Sequence, residues 1–278
     1  MSITRRQALI PPLLVFSLSL ILLPAAGQRR LEGFGGGVVK SPPLPSRLPV
    51  GDDGPVGEFT FVRVVYDSPH SPYNHAYGGA WRVDFPEADE HFITGAREWA
   101  GTNLRVSPRP FQLRATDERL FDYPLAYIVE PGHMELSDAE AAALREYLLR
   151  GGFLFLDDFH GEAEWQRVRE QLKKVLPEYE AKDLPLTHPI FHSYFDLNEV
   201  VQVPGVASLV RGVTYEKGGV MPHYMGVEDG DGRLMIFLTR NCDLGDAWEW
   251  INDRRYPVRY GLVAYKVGIN VVVYAMSH

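Results

Sequence analysis

The stretch 125–161, LAYIVEPGHMELSDAEAAALREYLLRGGFLFLDDFHG, constrains this chain more than any other. Leu125–Val129 is uniformly apolar, as a strand buried on both faces must be. After a polar turn, Ser137-Asp138-Ala139-Glu140 matches the S-x-x-E capping box, in which both side chains satisfy amides at a helix start. Ala141, Leu144, Tyr147 and Leu148 keep helical spacing, and Gly151-Gly152 supplies a left-handed stop. Residues 153–156 form a second buried strand. Strand, helix, strand is the half-unit of an open α/β sheet, and ligands bind such sheets at the carboxyl ends of the strands. Those ends carry Glu130 and His133, then Asp157, Asp158 and His160. A site is placed before any reaction is named.

The N-terminus reads as an address. Arg5 and Arg6 precede an uncharged run over 7–27, and Ala25-Ala26-Gly27 offers small residues for signal-peptidase cleavage. Thr4-Arg5-Arg6-Gln7-Ala8-Leu9 resembles a twin-arginine signal, with Ala8 where Phe is usual. Residues 1–27 are therefore read as a signal peptide, or as a membrane anchor if cleavage fails, since about 20 uncharged residues just span a bilayer. Pro11, Pro12 and Pro24 interrupt the run and favour cleavage, and no other segment reads as long and apolar enough to span. The absence of a Cys after the run argues against a lipoprotein. The expected location is periplasmic or extracellular. Loss of Arg5 and Arg6 leaves 26 basic against 36 acidic residues, a net charge of −10. With no Lys/Arg cluster to displace counterions, nucleic acid is an unexpected partner. Cys242 is the only cysteine, so no intrachain disulfide forms.

Residues 28–57 are rich in Gly and Pro and read as a linker; 58–278 read as a single α/β domain. Residues 59–66 have strand composition, and 67–79 read as loop. A helix begins at 86–89, with Phe92, Ile93, Ala96 and Trp99 at helical spacing and Gly101 as its stop. Trp165, Val168, Leu172, Val175 and Leu176 mark another, ending at Pro177. Segment 187–197 reads as loop with a short turn, while 215–227 and 233–239 read as strands. The apolar run 260–276 fits helix or strand.

Four constellations could carry chemistry. Alternation along a strand sends Asp157 and Asp158 to opposite faces, so one faces the cleft while the other caps a helix or pairs locally. The exposed carboxylate would suit a hard cation or a general base, with His160 beside it. The turn after Glu130 carries no Cys or Ser at its tip, which argues against covalent acyl chemistry; His133 is an acid, base or ligand candidate. In 188–196, His188, His192 and Asp196 offer zinc or iron ligands at loose spacing, or a lid packed on the core. Asn241, Asp243 and Trp248 place an amide, an acid and a ring together, as sugar clefts and packed loops both do. Cys242 has no local His partner and reads as a structural thiol.

Taken in order, FVRVVYD at 61–67, WRVDFPEAD at 81–89, YLLRGGFLFLDDF at 147–159, HPIFHSYFDL at 188–197 and YKVGINVVVYAM at 265–276 resemble a bacterial domain-of-unknown-function family, number 4159. The resemblance covers 58–278. It implies a class I glutamine-amidotransferase-like, flavodoxin-like fold: a three-layer α/β/α sandwich with a mostly parallel sheet, and helix at the start of the closing segment. Amidotransferases of that fold use a Cys at the elbow; this chain has none there, so their glutaminase chemistry does not carry over. The first expectation is an exported domain binding a small polar ligand or an envelope protein at Glu130, His133, Asp157, Asp158, His160, His192, Asp196, Asn241, Asp243 and Trp248. The alternative is a metal- or carboxylate-dependent hydrolase acting on envelope carbohydrate. No cofactor is assigned, and a scaffold role would show as an exposed apolar patch without a polar pocket.

Overall fold

The two uniformly apolar runs lie side by side at the centre of one sheet. The computed structural model of the chain describes residues 58–100 and 105–278. Its strands are β1 (Val62–Val65), β2 (Phe111–Arg114), β3 (Leu125–Val129), β4 (Phe153–Phe159), β5 (Lys182–Asp183), β6 (His223–Glu228) and β7 (Leu234–Arg240). They form a sheet of order β2-β1-β3-β4-β7-β6-β5. The first five strands in that order run parallel, β6 is antiparallel to β7, and β5 is antiparallel to β6. The helices among the described residues are α1 (Tyr73–Tyr77), α2 (Glu87–Ala100), α3 (Asp138–Leu149), α4 (Gly161–Val175), α5 (Val206–Val210), α6 (Leu244–Glu249) and α7 (Val258–Ser277). The chain is therefore a mixed α/β fold with a seven-stranded, mostly parallel sheet.

Strand alternation builds two apolar clusters. Leu125, Tyr127 and Val129 of β3 pack with Phe153, Phe155 and Phe237 and with side chains of α2, α6 and α7. Ala126 and Ile128 pack with Leu154, Leu156, Ile236 and Leu238 and with α3 and α4. The capping box at Ser137 and Glu140 is formed, with Glu140 N donating to Ser137 Oγ and Ser137 N to Glu140 Oε2.

Several expectations need correction. β2 was not foreseen, and 67–79, read as loop, contains the short α1. The strand expected over 215–227 is confined to His223–Glu228, because Lys217-Gly218-Gly219 turns back over the site instead. Segment 260–276 lies within the 20-residue helix α7. By length and hydropathy α7 could cross a bilayer, contrary to the sequence expectation, but 61% of its apolar window is buried within the fold. It is a core helix, interrupted by one buried amide: Asn270 Oδ1 accepts from Phe195 N at 2.7 Å and its Nδ2 donates to Phe195 O at 2.8 Å. The stop expected at Gly101, the signal and the linker lie outside the described residues.

One buried ion pair ties the fold to its site. Arg63 of β1 is inaccessible to solvent and grips Asp89 of α2 through Nε (3.1 and 3.0 Å) and Nη2. Its Nη1 donates to Trp81 O at 3.1 Å and Val83 O at 2.9 Å, and its guanidinium stacks 5.1 Å from the Tyr127 ring. Arg63 thereby fixes the turn from which Asp84 projects.

Candidate functional site

The carboxyl edge gathers chain segments under strain. Glu130, directly after β3, takes a left-handed backbone (φ 48°), and the chain turns through Pro131-Gly132-His133. Near its end β4 sets two residues, Asp157 and Asp158, against one of β7: Leu156 pairs with Leu238 and Phe159 with Arg240. The extra residue makes a bulge, with Asp158 at φ 59°. Asp84 (61°), Lys217 (48°) and Asn241 (62°) complete the set, so every non-glycine residue with positive φ among the described residues belongs to this edge or its roof. Such conformations cost about 1–3 kcal/mol each and concentrate at functional sites.

The bulge separates the two aspartates by role. Asp157 is fully buried and saturated: Thr239 Oγ1 donates to its Oδ1 at 2.5 Å, while Tyr127 Oη (3.0 Å), Leu244 N (2.9 Å) and Gly245 N (3.0 Å) donate to Oδ2. It holds the start of α6 against the sheet. Burial still pushes its carboxyl up to about 6, against those donors. Asp158 lies in the site, with His160 Nε2 3.0 Å from its Oδ1. Burial lowers the pKa of His160, so the ring is neutral, and its Nδ1 has no hydrogen-bond partner among the described residues.

Two groups of ligating side chains adjoin there. In the first, single ligand atoms of Glu130, His133 and Glu164 lie within 4.8 Å of one another. This group carries its own cation: Lys217 Nζ is 2.6 Å from Glu164 Oε1 and 3.8 Å from Glu130 Oε2. Burial disfavours the Lys217 ammonium, but Glu130, Glu164 and Asp158 outweigh it and hold the group charged. Burial likewise opposes ionisation of Glu164, yet its hydrogen bond with His133 and the Lys217 charge hold its carboxyl down at about 2. Glu130 is 2% exposed; burial and Asp158 push its carboxyl well up, and its Oε2 has no hydrogen-bond partner. A cavity of about 240 Å³ opens on His133 and Glu164, with His70 and Arg167 on its wall.

In the second group, Asp84, Asp158 and Asp243 bring ligand oxygens within 4.8 Å, and Asp84 belongs also to a set with Asp246 and Glu249. Asp84 Oδ2 is sealed from solvent and unpartnered among the described residues. Asp243 caps α6, its Oδ1 accepting from Asp246 N at 2.7 Å. Burial, then Asp246, pushes Asp84 well above the carboxylate range; burial, then Asp158, does the same for Asp243. Burial also raises Asp158, with Lys217 opposing it. Glu249 is pushed up to about 7 by burial and by Asp246.

The roof is the segment Lys217-Gly218-Gly219. Gln202 Nε2 donates to Gly219 O at 2.8 Å, and Asn241 bridges Gly161 N (2.9 Å) and Met221 O (2.5 Å). A Cβ on Gly161 (φ 71°) would sit 2.2 Å from Lys217 O. Gly161→Ala should therefore lower stability by about 1–2 kcal/mol through its backbone conformation alone, and more through displacement of the roof. A denaturant midpoint unchanged from the parent protein would contradict that packing.

Of the residues singled out in sequence, Glu130, His133, Asp157, Asp158, His160, Asn241 and Asp243 come together. His192 and Asp196 do not: they pair with each other at 2.8 Å in a turn region whose next-door residues hydrogen-bond to α7, with nearby His188 3.6 Å from Glu228 at the far end of β6. Trp248 is wholly buried, 4.6 Å from the Phe92 ring centroid, so it is a core residue and no sugar platform. Burial pushes the Cys242 thiol up to about 12, which leaves it inert at neutral pH. Asp84, Glu164, Lys217, Asp246 and Glu249 were missed. WRVDFPEAD offered a signal for Asp84, an acid two residues before Pro86, in the lead-in to the helix start expected at 86–89.

In comparisons with known proteins, residues 60–276 match the family described as Domain of unknown function (DUF4159). No curated protein matches the chain.

Proposed function

This chain belongs to the DUF4159 family, and we propose that it is an exported domain that binds a small polar ligand, carrying positive charge or amine donors, at the carboxyl edge of its sheet. One observation carries this reading: Asp84, Asp158, Asp243, Asp246 and Glu249 converge with Lys217 set to one side of them. Buried carboxylates without a partner destabilise a fold unless a cation or a proton neutralises them. An anionic ligand alone would worsen the imbalance. The fold is read as a three-layer α/β/α sandwich of glutamine-amidotransferase-like kind, supported by apolar clusters on both faces of a parallel core. Without an elbow nucleophile, and with Cys242 buried, it is a non-amidotransferase member of that class. Export rests on Arg5, Arg6 and the apolar run behind them.

A melting series on the full chain tests the ligand class. Glucosamine and spermidine should raise the melting temperature by several degrees when present at about 100 times their Kd. N-acetylglucosamine and glucuronate should not. Stabilisation by the anionic sugar alone would sink the reading.

The hydrolase reading keeps one specific observation. Glu130 and Glu164 face one cavity-lining histidine with their carboxyls pushed in opposite directions, the pattern of an acid and a base. Release of reducing ends from envelope glycan, abolished by Glu130→Gln and Glu164→Gln alike, would select it.

A further inference from the structure

We propose that Asp84, Asp158 and Asp243 hold one divalent hard cation, calcium by its ligand set. This rests on the ligand-binding reading and deepens it by naming the positive charge. The neighbouring group is the internal comparison. Glu130, His133 and Glu164 are equally close-set, but Lys217 already places an ammonium among them. Among the described residues no Lys or Arg stands within ion-pair distance of the three aspartates: Lys217 acts on Asp158 from further off, and the basic side chain in reach is His160, 3.0 Å from Asp158 Oδ1.

Geometry beyond the acids themselves points to an occupant. Asp84 Oδ2 is cut off from solvent and accepts no hydrogen bond from any described residue. A sealed carboxylate oxygen forgoes water and every donor only at a cost of a few kcal/mol unless something replaces them. A Cβ on Gly245 would stand 2.4 Å from that oxygen, so a glycine is what lets Asp84 approach. The other two aspartates each have one oxygen engaged: Asp158 Oδ1 faces His160, and Asp243 Oδ1 takes the helix amide. Asp158 Oδ2 and Asp243 Oδ2 remain to ligate.

Donor type and number choose the ion. Three carboxylate oxygens with no sulfur or imidazole among them suit hard cations. Magnesium keeps several of its waters and takes one or two protein carboxylates, whereas calcium accepts three or more. The three ligand atoms lie within 4.8 Å of one another, inside the reach of two ligands on one calcium, about 5 Å. Calcium takes about 6–8 oxygens, so three protein carboxylates leave positions for water or for the hydroxyl oxygens of a polar ligand.

The test uses the full chain stripped of metal with chelator. Terbium, a luminescent stand-in for calcium, should bind at one equivalent and be displaced by calcium, with magnesium at least tenfold weaker. Asp84→Asn and Asp243→Asn should each weaken calcium binding at least tenfold by calorimetry while leaving the circular dichroism spectrum intact. Glu164→Gln, in the lysine-neutralised group, should leave it within about twofold. Terbium binding that survives both aspartate variants, or that Glu164→Gln abolishes, overturns the assignment. If calcium and terbium fail while spermidine still raises the melting temperature in an Asp84-dependent way, the metal falls and the ligand reading stands. If spermidine and glucosamine fail as well, both fall.

Discussion

Arg63→Met should destabilise the protein by about 3–5 kcal/mol, because it leaves Asp89 as an unpaired charge in the interior. Arg63 and Asp89 are both fully buried, and the guanidinium also satisfies the carbonyls of Trp81 and Val83. For a domain of this size, a loss of that order corresponds to a fall of roughly 10 °C in melting temperature. The double variant Arg63→Met, Asp89→Leu should recover most of the loss, since an apolar pair of similar volume often replaces a buried ion pair at little cost. Urea melts of the two single variants and the double variant measure the coupling. Single variants that each cost under 1 kcal/mol would show that the pair is dispensable. The effect reaches the site as well. Val83, held through its carbonyl, directly precedes Asp84, so the Arg63 variant should also weaken calcium binding.

The second large effect is a stability that falls as pH rises, opposite to most proteins at mildly acid pH. The carboxyls of Asp84, Asp158 and Asp243 are all raised by burial, Asp157 to about 6, and Glu249, by burial and by Asp246, to about 7. In the unfolded chain they ionise near pH 4. Between these limits the folded state holds more protons than the unfolded one, and stability then decreases with pH. Their contribution is complete below about pH 4 and is lost as pH climbs through 6 and 7 and beyond. Asp157 alone accounts for about 3 kcal/mol over that window. Glu164 has the opposite sign but does not intrude: its stabilisation, with the carboxyl at about 2, is lost only in stronger acid. In chelator, the melting temperature should be higher at pH 5 than at pH 8, and calcium should restore most of the difference at pH 8. A melting temperature that rises from pH 5 to pH 8 without metal would refute the charge balance drawn here.

The parallel core was legible because its signals are local. Leu125–Val129 is apolar throughout and Ser137 with Glu140 forms a complete capping box, so each element carries its own statement. Three-dimensional proximity was not local. Asp84 reaches Asp158 and Asp243 from a turn far upstream, placed by Arg63 on another strand and admitted by Gly245. Lys217 sat in a stretch whose composition reads as strand, and its ion pair with Glu164, with the hydrogen bond from Gln202 to Gly219, holds it over the site. His192, Asp196 and Trp248 misled for one reason: composition identifies polar and aromatic residues but not which side of the sheet they occupy. Strand alternation predicted different surroundings for Asp157 and Asp158, and the bulge, silent in sequence, made both of them buried.

That bulge also sets what kind of genetic change β4 can absorb. Leu154 and Leu156 belong to one apolar cluster, and so does Phe159, an odd number where strict alternation would demand an even one. The extra residue is a parity shift, and everything after it, including His160 and the start of α4, is counted from the shifted phase. A substitution at 157 or 158 alters one side chain. Deletion of either codon would close the bulge: Phe159 would keep its face, but His160 and Gly161 would be drawn back by one strand position and Gly161 pulled from beneath the roof. Drift through this segment is therefore free in letters, within chemistry, and frozen in length.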